Sequence, residues 1–270
     1  MKLLAVETAT SWQSVAILEG DRVLARHDQD AGGAHGTLLL PVIDRLLDQA
    51  GFRLTDLDGL ACSIGPGSFT GIRVGLATCL GLRAATDLPL ALVPTLEAMA
   101  WNAKGTAYPI CPVLTSRKEE VYWAIFRWTN EGQVVRVLAE HVGAPRALAR
   151  TLTEPTLIFG EGWSSMESEI RSALRDHVAI SGGPEEATKP TAVSVAQLGM
   201  QRLQRGEVAS DRVAPLYVQR AEAELKYEQS GGVSPVVRRQ ERIARKVAAR
   251  LEQGRRRAGR AVLPKPFHDQ

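Results

Sequence analysis

Two segments far apart in the chain follow one plan. KLLAVETATSWQSVAILEGDRVLARH (residues 2–27) and PICPVLTSRKEEVYWAIFRWTNEGQVVRVLAEH (residues 109–141) each read as strand, polar turn, strand, second turn, strand. The apolar runs are short and bounded by turn residues, as hairpin-linked strands require. The match extends to detail, with WAIF for VAIL, Glu131-Gly132 for Glu19-Gly20, and VRVLAEH for DRVLARH. Two related halves are the economical inference. After the first meander the spacing predicts a helix over 36–50 (Leu39, Val42, Ile43, Leu46, Leu47), a strand over 57–64, a helix over 71–85, a strand at LPLALVP and a helix from Thr95. After the second it predicts a helix near 145–152, a strand at TLIFG, a helix capped by Ser164, and a helix over 194–205. Strands and helices alternate after each meander, the order of an α/β protein. The boundaries expected are 1–104 for the first domain, 105–228 for a smaller related one, and 229–270 for a linker and basic tail.

Between the strand at 57–64 and the helix at 71–85 lies GPGSFTGIRVG, four glycines in eleven positions. Backbone N–H groups at a helix start lack intrahelical partners, and glycines let an anion or another backbone come close to them. The spacing fits neither phosphate motif. GxGxxG would put its third glycine at Phe69 or Thr70, and a P-loop needs Lys and Ser/Thr where this chain has Ile72 and Arg73. The preferred reading is a rigid turn formed by Gly65, Pro66, Gly67, Ser68, Phe69, Thr70 and Gly71, with Ser68 or Thr70 as helix cap.

With 44% hydrophobic and 23% charged residues the chain can bury a sizeable core. Cys62, Cys79 and Cys111 lie in apolar runs without paired spacing, so they read as buried thiols of a reducing compartment, and the cytoplasm is expected. No apolar run is long enough for a membrane span or a signal peptide, so no membrane is expected. Charge is unevenly spread. Residues 231–270 hold 11 Lys and Arg against 3 Asp and Glu, while residues 1–230 carry a net −5. Beyond a Gly-Gly linker, Arg238, Arg239, Arg242, Arg245, Lys246, Arg255, Arg256 and Arg257 form either an arm for RNA phosphates or a solvated tail.

GPGSFTGIRVGLA, the opening LLAVETATSWQSVAIL, HGTLLLPVIDRLL and PLYVQR near residue 215 together resemble the bacterial TsaB (YeaZ) family over residues 1–226. The resemblance implies two ribonuclease-H-like domains of the actin/Hsp70/sugar-kinase (ASKHA) fold. It also implies a role in forming N6-threonylcarbamoyladenosine at adenosine 37 of tRNAs that read codons beginning with A. The family's part is that of a partner subunit. A TsaD-like subunit forms the heterodimer and carries the metal, a TsaE-like ATPase docks on the pair, and tRNA binds through the complex. The chain itself is expected to hold no cofactor tightly and to form, when isolated, a possible homodimer.

The residues can be set against that division of labour. Two imidazoles one helical turn apart can share a metal, and the five histidines include no such pair; His35, at a helix start, reads as a capping or surface residue. No metal site and no catalytic residue is expected. Where nucleotide-binding members of the implied fold carry Asp-x-Gly-Thr in the first turn, this chain has Glu7, Thr8, Ala9 and Thr10, a vestigial nucleotide turn whose Ala9 would crowd a phosphate. TSRKEE, at 115–120, sets Glu119 and Glu120 in the second turn, and FGEGW, at 159–163, reads as a strand-to-helix turn. The helices beside the glycine loop carry more apolar surface than one sheet face uses. Leu39, Ile43, Leu46 and Leu47, with Gly75, Leu76 and Gly81, are therefore expected to bind a partner, the alternative being burial in the chain's own core. Two other functions stay open: an ATP-dependent kinase or ATPase of the same fold, separable by ATP titration, and a metallopeptidase, for which no HExxH is present.

Overall fold

The computed structural model describes residues 1–117, 119–174, 179–181, 188–210 and 212–218. It is a mixed α/β structure with two five-stranded sheets of one strand order. In the first, β1 (Lys2–Glu7), β2 (Trp12–Glu19) and β3 (Arg22–Asp30) form an antiparallel meander, and β4 (Gly59–Ser63) and β5 (Leu90–Val93) add in parallel to β1, giving β3-β2-β1-β4-β5. In the second, β6 (Ile110–Thr115), β7 (Val121–Trp128) and β8 (Val134–Gly143) form the meander, with β9 (Thr156–Phe159) and β10 (Ala179–Ser181) on the other side of β6. The repeat read in the sequence is thus a repeat of topology. The short strand β10 has no counterpart among the elements expected from the sequence.

Both faces of each sheet are covered, which explains why the central strands read as continuous apolar runs rather than alternating ones. On β1, Leu4 and Val6 face one way and Leu3 and Ala5 the other, and each set joins a separate buried cluster. The first cluster is closed by α1 (His35–Ala50) and α2 (Phe69–Thr86), the second by α6 (Ala192–Gln204). On the second sheet, α3 (Thr95–Trp101) covers Ile110, Leu114 and Phe126, while α4 (Pro145–Thr151) and α5 (Glu161–Ala173) cover Cys111, Val113 and Trp123.

Sequence order and packing part company at two helices. α3 follows the first half but its Leu96 and Met99 pack on the second sheet, and α6 follows the second half but packs on the first. Small residues make the latter fit possible: a Cβ at Gly199 would come within 2.5 Å of the Ala61 methyl. Polar groups tie the crossing helices together. Glu97 on α3 accepts from Arg202 on α6 at 2.7 Å and from Arg136 on β8 at 3.3 Å, and the Trp101 indole donates to Gln197 at 2.7 Å. α5 begins at Glu161, with Gly160 in the cap position. Ser164, expected as its cap, lies inside the helix and donates back to the Gly160 carbonyl at 3.3 Å. Residues 219–270, including every arginine and lysine assigned above to RNA, lie outside the described residues.

Candidate functional site

The turn after β1 and the loop before α2 are one structure. Thr8 donates from Oγ1 to the Gly71 carbonyl at 2.9 Å, and the Ser68 N–H donates to the Ala9 carbonyl at 2.6 Å. A Cβ added at Gly67 would overlap the Ala9 carbonyl oxygen, one at Gly71 the Thr8 carbonyl oxygen, and one at Gly75 the Thr8 hydroxyl. The glycines therefore admit backbone, not anion: α2 enters against the Thr8–Ala9 turn at a distance that no side chain allows. Ser68 is the helix cap, its hydroxyl accepting from the Gly71 N–H at 3.2 Å.

Two of the turn's own backbone donors are engaged as well. The Ala9 N–H donates to Glu7 Oε1 at 2.5 Å and the Trp12 N–H to Thr10 Oγ1 at 3.1 Å. These are backbone donors that a phosphate at this turn needs. The opposing turns are filled in a similar way. Gly160 and Gly162 lie against the backbone of Val113 and Leu114, where a Cβ would collide. Lys189 Nζ sits 3.6 Å from the centre of the Trp12 ring. Burial raises the Glu161 carboxyl, offset by the Thr115 backbone and by the Lys189 charge. Isothermal calorimetry of the isolated chain with ATP and magnesium is accordingly expected to show no micromolar binding; a micromolar isotherm would favour the alternative kinase or ATPase reading.

Glu7 is fully buried, and burial pushes its carboxyl up to about 7, against the Ala9 N–H, the Ser63 hydroxyl and the Thr8 N–H, which favour the charged form. Beside it, Cys62 is raised by its contact with the Cys79 thiol and by burial. All three cysteines are buried free thiols. His35 is not the capping or surface residue expected. It is 3% exposed, with Nε2 2.8 Å from the Thr10 carbonyl and Nδ1 3.4 Å from Gln13 Oε1, so it fastens the start of α1 to the turn. Among the described residues no three His, Cys, Asp or Glu side chains converge to hold a metal ion; His177 and His268 lie outside them.

The expected partner-binding residues divide. Leu39, Ile43, Leu46, Leu47 and Leu76 are buried in the chain's own core, and Gly75 is spent on Thr8. The reason is arithmetic: positions 39, 42, 43, 46 and 47 are the i, i+3, i+4, i+7, i+8 stripe that one sheet face fully uses. Of that set Gly81 faces outward. The large hydrophobic side chain that α1 presents to solvent is Leu40, 55% exposed, on the rim of a groove of about 690 Å³ shared with Pro41, Asp44, Phe52, Arg53 and Leu82. A second outward feature escaped the sequence reading. Arg73 lies 3.7 Å from the Phe69 ring centre and donates from Nε to the Tyr217 hydroxyl at 2.7 Å, while Phe69 and Tyr217 stack at 5.1 Å. With the Leu216 N–H on the Ile64 carbonyl at 2.8 Å, this anchors Leu216 and Tyr217 to the start of the glycine loop and of α2. The only signal in the sequence was that both pieces are aromatic.

The model of the family described as TsaD, tRNA N6-adenosine threonylcarbamoyltransferase, matches residues 27–227. The chain is similar to the tRNA threonylcarbamoyladenosine biosynthesis protein TsaB of Escherichia coli, 31% identical over 227 residues, which cover 81% of this chain and 94% of that protein. It is also similar to TsaB of Bacillus subtilis, at 26% identity over 85% of this chain and 99% of that protein. Among solved structures it resembles YeaZ from Pseudomonas aeruginosa, at a TM-score of 0.69 and 29% identity over 80% of this chain and 99% of that one.

Proposed function

The chain belongs to the TsaB (YeaZ) family, and on that footing we propose that it serves tRNA threonylcarbamoyladenosine biosynthesis as a non-catalytic subunit paired with a TsaD-like transferase. The relatives named for that pathway support the role. The observation that favours a scaffold over a catalyst is the packing of Gly67 and Gly71 onto the Thr8–Ala9 turn, which commits the phosphate-facing side of a nucleotide turn to holding a helix. In this reading each sheet with its helices is one ribonuclease-H-like domain of the actin-like fold. ATP and metal belong to the partner subunits, a TsaE-like ATPase joins the pair, and the cytoplasm is where they act. Among the described residues no helix is long and apolar enough to cross a membrane.

The partner surface in this proposal is the outer side of α1 and α2. Leu40 and Leu82 flank the groove there, and Gly81 leaves room for a close helix approach. Co-expression with the TsaD-like protein of the same organism tests the pairing. The expected result is a stoichiometric complex that, with a TsaE-like ATPase, modifies an unmodified tRNA transcript, while the isolated chain forms no product. Product from the chain alone, or full modification in its absence, refutes the scaffold role.

The basic segment is proposed as an auxiliary RNA arm. Its eleven cationic residues add phosphate contacts without sequence choice, since phosphates carry no base information. Truncation after Gln229 is expected to weaken tRNA binding by the complex and to reduce the salt slope by a few units at most. Equal affinities for the truncated and full-length complexes at low and moderate salt exclude the arm.

A further inference from the structure

β1 and β4 run side by side, Val6 opposite Cys62, so the next residues along each strand, Glu7 and Ser63, are neighbours at the carboxyl end of the sheet. Both are fully buried. Glu7 Oε1 is taken by the Ala9 N–H, but Oε2 has no hydrogen-bond partner among the protein's atoms, and neither has the Ser63 hydroxyl. An ionised Glu7 still has the Ala9 N–H and the Ser63 hydroxyl to accept from, but its charge is fully buried, and burial outweighs those donors. Protonation removes that buried charge and reverses the pairing, the carboxyl O–H donating to the Ser63 hydroxyl. We propose that Glu7 and Ser63 form a proton site whose occupancy controls how firmly the first turn grips the glycine loop and α2. With the proton on Oε2, the pair completes itself and the turn stays closed on Ser68, Gly67 and Gly71. Without it, hydrating the carboxylate requires residues 7–10 to part from residues 65–71, breaking the Ser68-to-Ala9 and Thr8-to-Gly71 hydrogen bonds.

Burial raises the Glu7 carboxyl to about 7, which places this exchange between the ordinary carboxyl range and neutrality. The groups facing it do not mask it. From β4 its titratable neighbour is the Cys62 thiol, held protonated by its contact with Cys79 on α2 and by burial, and further raised by the Glu7 charge. His35 on α1 directs its ring nitrogens to Thr10 and Gln13. The sign is fixed by linkage. The folded chain binds this proton more tightly than the unfolded one, so closure is firmest below the ordinary carboxyl range and is lost as pH rises toward the folded value.

Amide hydrogen exchange at Ser68, whose N–H is held by the Ala9 carbonyl, corrected for intrinsic base catalysis, tests the site in the full chain. The opening constant is expected to rise roughly fortyfold between about pH 5 and about pH 7 in the parent, to level off above that range, and to stay flat in Glu7→Gln. A parent profile as flat as that of the variant overturns the proposal. Because Glu7→Gln can fail to fold, the protonated carboxyl stretch of Glu7 is followed by infrared spectroscopy in the parent as a second measurement. A midpoint near neutrality supports the site, and one in the ordinary carboxyl range overturns it.

Discussion

Gly67→Ala is expected to lose most of the folding stability of the chain, whereas Gly81→Ala, a formally identical change in the same loop–helix unit, is expected to raise it. At Gly67 the added methyl runs into the Ala9 carbonyl oxygen, a backbone atom held by the Ser68 N–H, so no side-chain rotation relieves the overlap. Either the loop lifts from the turn or the turn leaves its strand, and both undo the entry of α2. Losses of this kind reach roughly 4–5 kcal/mol, close to the whole margin of an ordinary domain. At Gly81 nothing lies within 4 Å of the new methyl, and the residue is exposed in the interior of α2. Helix propensity alone then acts and favours alanine by up to about 1 kcal/mol. Urea unfolding of the two variants beside the parent reads the difference directly, and equal midpoints for Gly67→Ala and the parent would show that the loop does not bear on the turn.

Much of this arrangement is legible in the sequence, and the limits of legibility have physical causes. The meanders, α1, α2 and the strands are local: each follows from apolar spacing and from turn residues within a few positions. The glycine loop announces itself too, since four glycines in eleven residues need a reason. The reason lies at Thr8 and Ala9, nearly sixty residues earlier, and periodicity has no access to a contact across strands β1 and β4. The same limit governs α3 and α6. An amphipathic stripe states that a helix has a buried side, not which sheet receives it. Leu39, Ile43, Leu46 and Leu47 misled for a related reason: apolar residues counted along a helix look like a surplus until the width of the stripe is compared with the face it covers. His35 and Glu7 look like surface and vestigial residues because polar side chains usually are exposed; their burial follows from neighbours brought by the fold, Thr10 and Gln13 for one and Ser63 for the other.

Two charges one turn apart on α1 should therefore behave in opposite ways. Ile43→Glu places a carboxylate at a position 3% exposed, in the apolar cluster that holds Leu39, Leu46 and Leu76. An uncompensated buried charge costs several kcal/mol, so this variant is expected to unfold or to survive only with a strongly raised carboxyl, whatever the partner does. Leu40→Glu adds the same group at a position 55% exposed on the rim of the groove formed with Pro41, Asp44, Phe52 and Leu82. Surface changes of that type stay within about 0.5 kcal/mol of the parent stability. If the groove receives the TsaD-like subunit, however, Leu40 lies in the covered area and its replacement beside Asp44 and Asp48 sets three negative charges against the partner. The loss expected is about 2–3 kcal/mol of binding, roughly a hundredfold in affinity. Circular dichroism separates the two variants by fold, and co-purification with the TsaD-like protein separates them by assembly. A folded Leu40→Glu chain that assembles as well as the parent removes the groove from the interface, and the outward rings of Phe69 and Tyr217 beside Arg73 then become the surface to mutate next.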